Sequence, residues 1–193
     1  MAIGAVLTCV AALLALAAVG VVGHNRPIAT RIVYSASLAL SSVILIVAIV
    51  RLLTWPGPDP ATTLPIGLPW IGARFRIDAL SAFFLIVVNF GAAAASLDAL
   101  GYGEHEQQPG RVLPFYPAFL AGMNVVVLAD DAFSFLVAWE FMSLASWALV
   151  VAHHQEAENT RAGYIYLLMA SFGTLTLLLT FGLLAGPAGG YGF

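Results

Sequence analysis

Six long stretches of apolar residues run along the chain, separated by shorter connections that are polar or rich in proline. Each stretch is close to 20 residues long, the length of α-helix that crosses the roughly 30 Å hydrocarbon core of a bilayer. The pattern therefore predicts an all-α integral membrane protein with about six transmembrane helices. The predicted spans are residues 2–23, 32–53, 79–100, 113–129, 132–151 and 163–185.

The composition agrees with a protein whose solvent is the bilayer. Of the 193 residues, 61% are hydrophobic and only 9% are charged, whereas a soluble domain is about half apolar and about a quarter charged. The first span is uncharged from Ala2 to Gly23, and no lysine or arginine precedes it. That length and those flanks favour a permanent helix over a cleaved signal peptide.

Two connections have a recognisable character. Residues 54–77 are rich in proline and glycine, which excludes a helix. At 73–77 charged and apolar residues alternate, as in a short amphipathic strand, and with residues 62–66 this segment is expected to form a β-hairpin on the membrane surface. The connection at Asp130-Asp131 is so tight that the spans on either side must be antiparallel neighbours.

Charge and motif content exclude several classes of function. The seven basic residues are all arginine, the net charge is −3, and no basic cluster exists that would bind nucleic acid. The single cysteine, Cys9, forms neither an intrachain disulfide nor a zinc motif. With no phosphate loop or nucleophile motif either, the sequence predicts no metal site, no cofactor site and no self-contained catalytic site.

The most informative residue is Glu140, which lies near the middle of the fifth span. A carboxylate at that depth costs at least ~2.5 kcal/mol, and such residues usually face the bundle interior and mark proton or ion pathways. Ser143 follows one turn later on the same side and is expected to hold a water molecule. The alternative is a structural ion pair with a neighbouring helix. Every arginine lies near a helix end, so a charged partner would come from another segment.

Four further residues are accessory candidates for proton transfer. His153 and His154 follow the fifth span and would feed protons toward Glu140, or else are simply interfacial residues of a polar loop. Asp78 lies at the start of the third span, and its simplest interpretation is the N-cap of that helix. Asp130, with its neighbour Asp131, is most simply a solvated turn whose negative charge favours the start of the next helix.

Other polar side chains within the spans are interpreted as interhelical hydrogen-bonding residues rather than as conduction sites. They are Asn89, Asn124, Ser171, Thr174 and Thr176.

Three motifs resemble a known family. The run from Leu128 to Trp147, which contains Trp139-Glu140, resembles the fourth-to-fifth helix region of the antiporter-like proton-translocating subunits of respiratory complex I and related membrane-bound hydrogenases. Residues 76–81, Arg-Ile-Asp-Ala-Leu-Ser, are similar to the family's signature at the start of its third helix. The run at 151–168 is most similar to the large antiporter-like membrane protein of hydrogenase-4 and formate hydrogenlyase complexes.

The resemblance implies an architecture. Family members begin with three helices and continue with two inverted five-helix repeats. By this resemblance, residues 1–112 are the N-terminal three-helix region with its surface hairpin loop, and residues 113–193 are the first three helices of an incomplete repeat. The resemblance also implies that the N-terminus is periplasmic. The arginine distribution does not decide the orientation, because one membrane face would carry four arginines and the other three.

The resemblance also implies a role for Glu140. In the family the matching carboxylate pairs with a lysine on the seventh helix. This chain stops after the sixth span, so three interpretations stay open: a truncated gene product, a gene fragment or one half of a split subunit. In each of them the lysine would come from another segment.

Three functions are compatible with these features. The first is a membrane subunit of a proton-translocating complex I-like NADH:quinone oxidoreductase or membrane-bound hydrogenase, without a redox site of its own, in the cell inner membrane. The second is a subunit of a multi-subunit sodium/proton antiporter. The third is a structural membrane scaffold in which Glu140 is an assembly contact.

Overall fold

The computed structural model describes residues 2–23, 26–54, 57, 61–65, 67, 72–103, 108–186 and 189–193. Within these ranges the chain forms seven helices and one two-stranded antiparallel sheet. In chain order they are α1 (Ala2–Gly23), α2 (Pro27–Thr54), β1 (Thr62–Leu64), β2 (Ala73–Phe75), α3 (Ala79–Tyr102), α4 (Pro109–Val112), α5 (Phe115–Leu128), α6 (Ala132–Val150) and α7 (Ala157–Ala185).

The predicted fold class is confirmed. Six helical segments of the described chain are long and apolar enough to cross a membrane, with α4 and α5 together forming one of them. The helices begin earlier than the predicted spans at three places: α2 begins at Pro27 rather than at 32, the fourth span at Pro109 rather than at 113, and α7 at Ala157 rather than at 163. The apolar stretch corresponds only to the part of the helix inside the hydrocarbon core. The helix itself continues into the interface, where polar side chains remain solvated.

Four helices share the main hydrophobic core. α2 packs along α3, α1 lies against α2 and α5, and α3 also contacts α5. The core side chains Leu13, Ile44 and Leu85 are fully buried, one each from α1, α2 and α3. α6 packs on α5, and α7 packs on α6, so these last two helices extend the bundle on one side.

Glycines allow the fourth span, Pro109–Leu128, to approach its neighbours closely. A Cβ atom on Gly20 of α1 would lie 2.7 Å from the carbonyl carbon of Leu113, and one on Gly122 of α5 would lie 3.0 Å from the Cα atom of Met142 in α6. Small residues at such contacts let helix backbones pack tightly in lipid, where packing rather than the hydrophobic effect drives association.

A buried pair of amides joins α3 to α5. The Asn89 Nδ2 group donates to Asn124 Oδ1 at 2.7 Å, and each amide also donates to a carbonyl one turn earlier in its own helix, Leu85 and Leu120 respectively. Both asparagines are fully buried. The interpretation of these two residues as interhelical hydrogen-bonding residues is confirmed.

The same interpretation is wrong for the threonines of α7. Thr174 donates to the Ala170 carbonyl at 3.2 Å and Thr176 to the Phe172 carbonyl at 2.9 Å, both within the helix itself. Ser171 is exposed. A hydroxyl that donates to the carbonyl four residues earlier needs no partner in another helix. The sequence alone therefore does not distinguish hydrogen bonds between helices from those within one helix.

The amide pair leads to a testable prediction. Replacing either Asn89 or Asn124 by leucine leaves the other amide without its hydrogen-bond partner. Replacing both leaves no amide unpaired. We expect a double-mutant cycle to give a favourable coupling of about 0.5–2 kcal/mol, measured by denaturant unfolding in detergent micelles. Ser42→Ala is the control, because that hydroxyl bonds only within its own helix. Additive losses from the two asparagine substitutions would contradict the prediction.

Candidate functional site

One end of the bundle carries a small sheet that involves three separate parts of the chain. In the hairpin, Thr62 pairs with Phe75 and Leu64 with Ala73. β2 then continues the pairing on its other side, where Arg76 N–H donates to the Leu128 carbonyl and Asp130 N–H donates to the Arg74 carbonyl, both at 2.9 Å. The predicted hairpin is confirmed, with strands shorter than expected; position 66 lies outside the described residues.

The last described residues pair with the same turn. Asp131 forms a bridge with Gly192, Ala132 N–H donates to the Tyr191 carbonyl at 2.9 Å, and Phe193 N–H donates to the Asp130 carbonyl at 3.1 Å. The connection between α5 and α6 therefore lies between β2 and the segment 191–193, paired with both.

The prediction of a solvated turn at 130–131 was wrong, because both aspartates are buried. Asp131 is 0% exposed; its Oδ1 accepts the Ser134 N–H at 2.8 Å and its Oδ2 accepts the Arg74 N–H at 2.9 Å. Asp131 is thus the N-cap of α6, which confirms the expected effect on the start of that helix.

Asp130 is 3% exposed and faces two arginines of the hairpin strand. Its carboxylate lies 2.9 Å from Arg76 Nη2 and 3.4 Å from Arg74 Nη2. Arg74 and Arg76 are two residues apart along an extended segment, so their side chains leave it on the same side. Two cations with solvent access thereby compensate one buried anion.

Asp78 is the N-cap of α3, as predicted. Its carboxylate accepts the Ser81 N–H and the Ser81 hydroxyl accepts the Asp78 N–H, both at 2.7 Å, which is a reciprocal capping box. Asp78 and Asp130 line the same cavity of about 570 Å³, together with Arg76 and Trp139. The two accessory carboxylates are therefore brought together at the hairpin end.

Glu140 lies apart from that cluster. It is about 12 Å along α6 from Ala132, and it is half-buried. Within the described ranges no hydrogen bond or ion pair engages its carboxylate. Ser143, one turn further on, is 5% exposed, so the expected adjacency of these two residues holds in the helix.

The contacts of α6 indicate which side Glu140 occupies. Met142 faces Gly122 of α5, and Glu140 lies about 200° around the helix from Met142. Trp147, two turns after Glu140 and therefore on its side of the helix, approaches Gly163 of α7. Glu140 thus lies on the side of α6 that points away from α5 and, further along, toward α7.

The structure does not bring His153 and His154 near Glu140. Both are exposed in the turn that follows α6, at the opposite end of the bundle from the hairpin. Ten helical residues, about 15 Å, separate Glu140 from Val150 alone. The backbone carbonyls of the two histidines accept hydrogen bonds from Asn159 and Thr160. Their part in proton supply stays a prediction.

Sequence reasoning did not identify Arg74, Arg76 and Asp131 as one cluster with Asp130. The alternation of Arg74 and Arg76 gave the only local signal, since it placed both side chains on one side of a strand. Nothing in the sequence links that strand to a turn more than fifty residues later. No group of three or more potential metal ligands occurs among the described residues.

The sequence and the fold are similar to those of known membrane proteins. Residues 129–193 match the sequence model of the transmembrane family described as NADH:quinone oxidoreductase/Mrp antiporter. Over 97% of its length the chain superimposes on a chain of the Mrp complex from Dietzia sp., with a TM-score of 0.71 and 21% identity, covering 20% of that chain. It superimposes likewise on a chain of the archaeal membrane-bound sulfane sulfur reductase, with a TM-score of 0.69 and 17% identity, over 95% of this chain and 38% of that one.

The sequence is also similar to several curated proteins. The chain is 34% identical to hydrogenase-4 component B of Escherichia coli over 61% of its own length and 18% of that protein. It is 32% identical to a putative antiporter subunit of Staphylococcus aureus over 68% of its length and 25% of that protein. It is 31% identical to NADH-quinone oxidoreductase subunit N 1 of Sorangium cellulosum over 58% of its length and 22% of that protein.

The chain is therefore a multi-pass membrane protein related to the antiporter-like subunits of complex I, membrane-bound hydrogenases and Mrp antiporters, as its motifs predicted. It spans only about a fifth of the length of the curated relatives it matches, 18% in the case of the hydrogenase component. That coverage fits the N-terminal part of such subunits.

The buried turn gives a second testable prediction. Asp131→Ala removes the acceptor of the Ser134 and Arg74 N–H groups, so both α6 and the hairpin lose a contact. We expect a loss of about 1–3 kcal/mol and faster hydrogen–deuterium exchange at Arg74. Asp98→Ala is the control, because Asp98 is an exposed aspartate of α3. Unchanged protection of the Arg74 amide in the Asp131 variant would contradict the assigned role.

Proposed function

We propose that this chain is a membrane subunit, or one part of a subunit, of a proton-translocating complex of the complex I-like NADH:quinone oxidoreductase or membrane-bound hydrogenase type. Glu140 carries the proposal. It is half-buried near the middle of a span, and the described residues supply no hydrogen bond or ion pair for its carboxylate. A carboxylate kept at such a depth without a structural partner is typical of a proton pathway.

In this proposal Glu140 takes up and releases the translocated proton. Ser143, buried one turn away, supplies a hydroxyl that holds a water molecule beside the carboxylate. The positive partner of Glu140 comes from another segment of the complex, since all seven arginines of this chain belong to helix ends or loops. By the family resemblance that partner is a lysine on a further transmembrane helix.

The proposal also sets the orientation of the chain. We place it in the cell inner membrane with the N-terminus on the periplasmic side. An even number of spans separates the N-terminus from the hairpin, from the turn at 130–131 and from the segment at 191–193. All of these lie on the periplasmic side in this orientation, while His153 and His154 lie on the cytoplasmic side.

The alternative is a subunit of a multi-subunit sodium/proton antiporter. The putative antiporter subunit among the relatives and the similarity to the Mrp fold favour it. It needs the same carboxylate but no electron transfer. Genes for hydrogenase or quinone-reductase subunits next to this one would support the first function, and genes for small antiporter subunits would support the second.

The role of Glu140 is tested by Glu140→Gln in the assembled complex. The amide keeps the size of the side chain but neither takes up nor releases a proton near neutral pH. We therefore expect proton translocation driven by the electron donor to fall by about 100-fold or more. The measurement is quenching of a pH-sensitive dye in inverted membrane vesicles. Glu158→Gln is the matched control, because Glu158 is exposed in the first turn of α7.

A structural role would give a different result. If translocation survives in Glu140→Gln while Glu140→Ala prevents assembly of the complex on native gels, Glu140 is an assembly contact and the scaffold function is correct. Loss of translocation in Glu158→Gln as well would show that the assay responds to any loss of charge, and would remove the support for Glu140.

A further inference from the structure

We propose that four aromatic side chains, Phe135, Trp139, Phe181 and Phe193, form a hydrophobic barrier that prevents protons from reaching Glu140 from the hairpin end of the bundle. The inference rests on the proposed function, because it takes Glu140 as the proton carrier, and it adds the side from which that carrier is closed. Net translocation needs such a barrier, since a carrier that is open to both membrane faces at once lets protons run back.

The four rings come from three separate segments and meet around Phe135. Its ring is nearly parallel to that of Trp139, with 5.8 Å between the ring centroids, and stands edge-on to those of Phe181 and Phe193 at 5.7 and 6.2 Å. The rings of Phe181 and Phe193 are 5.4 Å apart. These distances fall within the range of about 4.5–7 Å in which aromatic rings are in contact. The rings therefore form one continuous apolar cluster.

The aromatic cluster lies between Glu140 and the hairpin end. Phe135 precedes Glu140 by five residues, about 7.5 Å along α6 on the side of the hairpin. Phe181 belongs to α7 and lies one turn before Ala185, where that helix ends at the hairpin end of the bundle. A proton that moves between α6 and α7 from the hairpin end toward Glu140 meets these rings first.

The pairing at the membrane surface holds the fourth ring in place. Phe193 N–H donates to the Asp130 carbonyl at 3.1 Å, and Ala132 N–H donates to the Tyr191 carbonyl at 2.9 Å. The segment 191–193 is thereby fixed to the start of α6. Phe193 is 54% exposed, so it forms the outer edge of the cluster, whereas the other three rings are half-buried.

A cavity of about 570 Å³ separates the cluster from the charged residues at the membrane surface. Three charged residues of the hairpin end line it, namely Arg76, Asp78 and Asp130. Three of the four rings, all but that of Phe181, line it as well. Glu140 is not among the described residues that line the cavity, although it directly follows Trp139 in the chain. The rings are therefore the wall between this cavity and the carboxylate.

The chemistry of that wall does not support a chain of water molecules. Its only polar atom, Trp139 Nε1, is buried and offers nothing to the cavity. A water molecule needs about two to four polar partners, and apolar constrictions in membrane pores stop conduction because water leaves them. A proton that reaches the charged end of the cavity thus finds no water between Phe135 and Phe181 along which to continue.

The competing interpretation is that the rings only attach the segment 191–193 to α6 and α7. Under that interpretation, loss of a ring lowers stability but opens no route to Glu140. The two interpretations differ in whether loss of a ring creates a proton leak that needs the carboxylate.

Passive proton flux through the assembled complex tests the barrier. Inverted membrane vesicles receive an imposed pH gradient without an electron donor, and a pH-sensitive dye reports how fast the gradient decays. We expect Phe135→Ala to accelerate the decay severalfold, because it removes the ring that contacts the other three. Phe135→Leu keeps the position apolar and filled, and should leave the decay as in the wild type. Phe90→Ala is the matched control, because Phe90 is 67% exposed on α3, and it should also leave the decay unchanged.

A double variant shows whether the leak passes through Glu140. Phe135→Ala combined with Glu140→Gln should return the decay to the wild-type rate. The proposal is overturned if Phe135→Ala assembles without a leak, or if the leak persists in the double variant. Should Phe135→Ala fail to assemble on native gels, Phe181→Ala, which removes only the ring on α7, decides by the same two criteria.

The barrier and the function on which it rests fail in different ways. Donor-driven translocation by Glu140→Gln alone is measured in the same vesicles. If that translocation is lost and Phe135→Ala does not leak, only the barrier is wrong. If Glu140→Gln translocates protons like the wild type, the function assigned to Glu140 is wrong, and the barrier proposal falls with it.

Discussion

The hairpin end of this protein depends on two carboxylates in a two-residue turn. Near a membrane, backbone N–H groups that are removed from water need acceptors within the protein. Asp131, 0% exposed, provides one for Ser134 at the start of α6 and one for Arg74 in β2. Asp130 brings two arginines of the hairpin strand to the same place. The hairpin, the start of α6 and the segment at 191–193 are positioned relative to one another through this turn.

Some buried polar groups of the bundle are satisfied in a similar way, whereas the Glu140 carboxylate of α6 is not. Asn89 pairs with Asn124, and the Ser96 hydroxyl lies 2.7 Å from the hydroxyl of Tyr116. Such pairs hold helices together and need nothing from outside. Among the described residues no hydrogen bond or ion pair engages the Glu140 carboxylate, which lies half-buried near the middle of a span.

Local chemistry was predictable from the sequence, whereas contacts between distant segments were not. The apolar lengths identified six spans, the composition of 54–77 identified the hairpin, and Asp78 was recognisable as an N-cap. The depth of Glu140 followed from its place within a span. The burial of Asp130 and Asp131 did not follow from the sequence, because it results from pairing with β2, more than fifty residues earlier, and with Gly192, about sixty residues later.

The pairing of the turn with residues on both sides of it has a consequence for biosynthesis. β2 is synthesised long before the turn at 130–131, and Gly192 follows long after it. Helices enter the membrane in chain order, so the hairpin strand waits without its second neighbour while two more spans are inserted. Contacts between residues so far apart in sequence form late, because each requires the closure of a long loop. The small sheet at the membrane surface is therefore the last part of this chain to be completed, and its formation reports that all six spans are in place.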